Sequence, residues 1–202
     1  MRGNKSTNYK GAATDSRVRG HYKVKKKDFE EGQPTYGEFD IDADINEIKK
    51  AAMEIVENQM IKTGESYLKM SEELKFNIYH LFEESRCCKI KNLLILAEYC
   101  NVPFLNFFPK EENDESLTMW NQERIFHAIY NVIKITKYDA HRNGLSNGTL
   151  GRYRKKGYDH VKEYINIRIL IFLCIANGYS VKGLLKKGDE LNESKGDGIK
   201  EK

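Results

Sequence analysis

Between Ser146 and Gly157 the chain carries a helix start, a helix stop and one basic face, and no other stretch narrows its fold as much. Ser146 has the short hydroxyl side chain that caps a first turn, and Gly157 tolerates the positive φ in which helices often end. Leu150 and Tyr153, at i and i+3, share one face, which leaves Asn147, Gly148, Gly151, Arg152 and Lys155 pointing elsewhere. The spacing predicts a helix over about 146–156 that packs by one side and offers the other to an anion. Downstream, residues 167–176 are apolar almost throughout, break at Asn177 and Gly178, and resume through Ser180, Val181, Leu184 and Leu185. Short helices punctuated in this way, with hardly a credible strand between them, predict an all-α fold.

The order of an apolar helix, a glycine turn, a serine and a short helix with Leu184 and Leu185, placed after the helix at 146–156, resembles the lambda-repressor/Cro-like (XRE-type) helix-turn-helix family. The resemblance puts the first helix of the motif over 136–144, with Ala140 at the tight helix crossing and Gly144 in the turn. Asp139 and Asn143 depart from it, since the family is normally apolar there. It implies that 146–156 is a recognition helix for the major groove of double-stranded DNA. By residue-wise carry-over, Asn147, Gly148 and Arg152 would face base edges, while Thr136, Lys137, Ser146, Lys155 and Lys156 would contact phosphates or approach them. Glycine at 148 and 151 leaves few side chains for readout, so specificity would rest on Asn147, Arg152 and DNA shape. The family's habit implies a homodimer on half-sites one helical turn apart, roughly 34 Å.

The first half repeats this order. Ile45, Ile48, Ala52, Ile55, Val56 and Met60 fall at helical spacing over 41–63, with Asp44 at the expected N-cap. Further helices are expected over about 65–70, 76–84 and 89–99, then a short apolar one through Phe104, Leu105, Phe107 and Phe108. An offset of 77 lays Leu93 on Leu170, Leu96 on Leu173, Asn101 on Gly178, Pro103 on Ser180, and Phe107 and Phe108 on Leu184 and Leu185. An offset of about 72 lays Ile78 on Leu150 and Leu81 on Tyr153, leaving some five extra residues around 158–164. The chain therefore reads as two tandem lambda-repressor-like helix-turn-helix modules, 41–110 and 119–187, the alternative being one larger helical domain. Its 202 residues, 40% of them hydrophobic, suffice for one or two small cores.

Charge separates the halves more than the net +4 suggests. The second is rich in Lys and Arg, whereas the first is acidic, and its counterpart of the recognition helix runs through Phe76, Tyr79, Phe82, Glu83 and Glu84. Duplex DNA carries a charge every ~1.7 Å and repels such a pair of carboxylates, while the aromatics suit a protein surface, so a partner protein is expected there. Residues 1–40 read as a disordered basic arm, in which Arg17 and Arg19 with Lys23 and Lys25–Lys27 would follow a phosphate backbone or serve only for solubility. The acidic 111–118 is expected to separate the modules, and 188–202 to fray as a flexible tail.

Other chemistries find little support. Cys87, Cys88, Cys100 and Cys174 lack ligand spacing, the five histidines stand in separate segments, and no cofactor or metal is expected. Residues 144–148 match Gly-x-Ser-x-Gly, but a nucleophile elbow needs a strand and a sheet around it. No apolar run is long enough for a bilayer, so an intracellular soluble protein without catalytic residues is expected. The main expectation is a DNA-binding transcriptional regulator; the alternatives are a small helical adaptor or inhibitor of the mobile-element type and an RNA-binding protein.

Overall fold

The computed structural model describes residues 41–83, 87–109, 111, 114–118, 120–136 and 147–196. Among them the fold is all-α, and the sole β-type pairing is an isolated antiparallel bridge between Lys89 and Asn166. The first half contains α1 (Ile41–Thr63), α2 (Tyr67–Leu74), α3 (Tyr79–Phe82), α4 (Ile90–Cys100) and a 3-10 helix (Phe104–Phe107). After a short α5 (Glu115–Thr118) come α6 (Gln122–Ile135), α7 (Asn147–Lys156), α8 (Tyr158–Tyr164), α9 (Ile167–Asn177) and α10 (Val181–Gly196).

Local chemistry accounts for most of these limits. The α1 stripe of Ile45, Ile48, Ala52 and Val56 is buried, and Asp42 and Asp44 stand in a first turn whose dipole favours them. Asp44 is thus not the N-cap expected of it, because the helix already begins at Ile41. α2 starts later than its apolar pattern suggests, since Ser66 caps it by accepting from the Lys69 N–H. It stops where Lys75 turns left-handed at φ 57°, and Asn77 then accepts from the Tyr79 N–H, which shortens α3 to four residues. Asn121, Asn166 and Ser180 cap α6, α9 and α10 in the same manner as Ser66.

The offset of 77 recurs in the geometry. α4 and α9 are both 11 residues long, each entered from the bridge and each closed by a left-handed residue, Asn101 at φ 52° and Gly178 at φ 68°. At both ends two N–H groups turn back: Asn101 and Val102 onto Glu98 and Ala97, Gly178 and Tyr179 onto Ile175 and Cys174. Leu93 and Leu170, Leu96 and Leu173, Phe107 and Leu184, Phe108 and Leu185 are all buried. The extra residues of the second half form α8.

One hydrophobic cluster runs through both halves, from Ile41 to Leu185. The acidic segment 111–118, expected to separate the modules, has its Glu111 and Asp114 bonded to the second half. The Glu111 carboxylate accepts from the Val181 and Lys182 N–H groups at 2.7 and 3.2 Å, and Asp114 pairs with Lys186 at 2.6 Å. Lys186 and Ser116 hold the Asp114 carboxyl well below its ordinary pKa. The part of the expected flexible tail that lies among the described residues, 188–196, is helical instead: α10 continues to Gly196 and packs along α6 more extensively than any other helix pair among the described residues. Its Gly188 lies against the Ala128 backbone, and the buried Asn131 amide donates to the Gly188 carbonyl and to Asn192 at 3.0 and 3.2 Å.

Candidate nucleic-acid interface

α7 is fastened along one side and bare along the other. Leu150 and Tyr153 are buried as their spacing requires, and the Tyr153 hydroxyl donates to the Tyr164 carbonyl at 3.0 Å. Arg154 reaches the end of α6, where its guanidinium donates to the carbonyls of Ile133, at 2.9 Å, and Thr136. Those are carbonyls a helix C-terminus leaves without internal partners, so Arg154 ties α7 to α6 and satisfies that end at once. Gly157 ends the helix at φ 79° and ψ −168°, a region essentially confined to glycine, and swings the chain into α8.

On the opposite face Gly148, Arg152 and Lys155 follow at i, i+4 and i+7, flanked by Gly151 and Lys156, and all five are exposed. A Cβ at Gly151 would meet nothing within 4 Å, so the backbone itself is open to close approach. Among the described residues no carboxylate pairs with Arg152, Lys155 or Lys156. Other cations of the second half are engaged: Lys162 with Glu123, Arg168 with Asp42, Lys187 with Glu190, and Arg124 with Asp189 while stacked on Trp120. His160, set between the rings of Tyr153 and Tyr164, registers the resulting field. Its pKa is lowered, first by burial and then by the charges of Lys156 and Arg152.

The other expected site residues distribute unevenly. Asn147 opens α7. Thr136, assigned to phosphate, is buried: its hydroxyl donates to the Val132 carbonyl at 2.7 Å and accepts from the Asn177 amide at 3.0 Å, so it serves the packing of α6 on α9. Lys137, Ser146, Arg17 and Arg19 lie outside the described residues, as do the arm and nearly all of the motif helix expected over 136–144. Arg154 and His160 escaped the sequence reading, Arg154 because its carbonyl partners stand 18 and 21 residues back in the chain, His160 because its place between Tyr153 and Tyr164 depends on how α7 and α8 pack.

In the first half Ile78, the residue before α3, and Leu81 within it are buried, at the positions that the offset of 72 lays on Leu150 and Tyr153. Outward, Tyr79 is 55% and Leu68 69% exposed, and the Tyr79 ring lies tilted against that of Tyr67 at 5.2 Å. A shallow hollow of about 400 Å³ opens there, lined by Leu68, Ser71, Glu72, Lys75, Phe76, Asn77 and Tyr79. Among the described residues no cluster of His, Cys, Asp and Glu could hold a metal ion, and no single helix is long and apolar enough to cross a membrane.

The two arginines of α7 should part in a stability measurement. Arg154→Ala strands two carbonyls at the end of α6 and should cost roughly 1–2 kcal/mol in urea unfolding. Arg152→Ala should stay within about 0.5 kcal/mol of the parent, as an exposed side chain with no ion pair among the described residues does. Equal losses would mean that Arg152 also belongs to the scaffold. In comparisons with protein-family models, with curated proteins and with solved structures, no match was found for this chain.

Proposed function

We propose that this chain is a sequence-specific double-stranded DNA-binding regulator of transcription, built from two helix-turn-helix modules, with α7 entering the major groove. The observation that carries the reading is the exposed face of Gly148, Gly151, Arg152, Lys155 and Lys156 on a helix whose other side is locked to α6 and α8. A major groove about 12 Å wide admits one helix, and glycines on the leading face let its backbone approach the bases. Arg152 has the planar fork that fits a guanine edge, Asn147 can pair with adenine, and Lys155 and Lys156 act as point charges toward phosphates. No enzymatic step is part of this reading.

Selection from random duplex DNA with the purified full-length protein tests it, and enrichment of one motif is the expected result. Arg152→Ala should then weaken specific binding by ~1–3 kcal/mol and relax the preference at one base pair. Lys155→Ala should weaken specific and scrambled duplexes alike. An Arg152→Ala protein that loses both equally would turn a base contact into a phosphate contact, and preference for structured RNA over duplex would replace the reading altogether. A second role, holding a partner protein through the first half, is favoured by the exposed Leu68 and Tyr79 around their hollow.

A further inference from the structure

The bridge between the two halves is reciprocal. The Ile90 N–H donates to the Ile165 carbonyl and the Ile167 N–H donates to the Cys88 carbonyl, both at 3.0 Å. Each bond becomes the other under the offset of 77, and the same offset carries α4 onto α9, Asn101 onto Gly178, and the 3-10 helix onto the start of α10. Contact of i with j and of j with i is how a two-fold homodimer interface is built. Here both sides belong to one chain. Further bonds close the same seam: Lys89 and Lys91 on Glu163 at 3.4 and 2.8 Å, Arg168 on Asp42, and Gln122 on Glu98 at 2.8 Å. The hydrophobic cluster is continuous across it. The two-fold partner of the second half is therefore already in place, and it is the first half.

The first half supplies the joint without a second reader. In the place of α7 stands α3, four residues with neither lysine nor arginine, whose exposed ring is Tyr79 and whose His80 faces Glu83 at 3.1 Å. It offers a phosphate backbone no lysine or arginine charge. We infer that a single chain is the complete DNA-reading unit and that its target is one asymmetric site read by one helix, in place of the inverted repeat that a homodimer would occupy. This rests on the DNA-binding reading above and narrows its target.

Full-length protein and the duplex it enriches from a random library decide the matter, with the complex weighed by native mass spectrometry. The expected result is one chain per duplex and a motif without inverted symmetry. An inverted repeat carrying two chains would overturn the inference and leave DNA binding standing. So would two chains bound side by side on a single asymmetric motif. Absence of any enriched duplex would remove both. Sedimentation equilibrium of the protein without DNA adds an independent reading: the mass of one chain supports a joint satisfied within the chain, and a stable dimer overturns it.

Discussion

Gly188→Ala should destabilise the protein by roughly 3 kcal/mol or more, the upper range for an overpacked interior. A Cβ added at Gly188 would stand 2.1 Å from the Ala128 carbonyl oxygen, 2.5 Å from its carbonyl carbon and 2.7 Å from its Cα. These are backbone atoms, so no rotamer change relieves the clash and α6 must part from α10. The parting also pulls the buried Asn131 amide from the Gly188 carbonyl, which costs a further fraction of a hydrogen bond's worth. Alanine's better helix propensity returns only about 1 kcal/mol. Urea unfolding followed by circular dichroism measures the balance. A midpoint at or above that of the parent would show that the two helices separate without loss and that the glycine is incidental.

Reversing the bare face of α7 should act far more on binding than on stability. Arg152→Glu, Lys155→Glu and Lys156→Glu combined should lower affinity for the selected duplex by three orders of magnitude or more, taking ~1–3 kcal/mol for each side chain that no longer holds the DNA. Repulsion from the new carboxylates weakens binding further, and stability should fall only by the cost of two carboxylates in the last turn of α7, roughly 1 kcal/mol each, because none of the three cations has an ion-pair partner among the described residues. As an internal comparison, Lys162→Glu reverses a cation already neutralised by Glu123 and should weaken binding far less. If the triple variant binds as the parent does, DNA lies elsewhere on the molecule. If Lys162→Glu matches the triple variant, only net charge matters.

Elements defined by periodicity were legible in the sequence. The stripe of α1, the inward pair Leu150 and Tyr153, the stop at Gly178 and the offset of 77 all follow from apolar spacing and turn residues, which act within a few positions. The basic face of α7 was legible for the same reason. What escaped depends on contacts across the fold. The residues after Gly188 are polar and read as a tail, yet a missing Cβ lets them close on Ala128, and Asp189 and Asn192 find Arg124 and Asn131. Thr136 looked like a phosphate ligand because its burial is decided by Asn177, 41 residues away. The cationic character of the second half was overstated because ion pairing cannot be read from composition.

The clasp between α6 and α10 also sets a schedule for synthesis. Asn131 must wait 57 residues for Gly188 to be made, which at typical elongation rates is about 3–11 s. During that interval α6, whose Ile125, Ile129, Val132 and Ile133 are all buried in the finished protein, lacks the helix it packs against most extensively among the described residues. A nascent chain halted before residue 188 therefore presents a sticky apolar ridge, and premature termination in the last turns should yield aggregated, rapidly degraded product although the basic face of α7 is already complete.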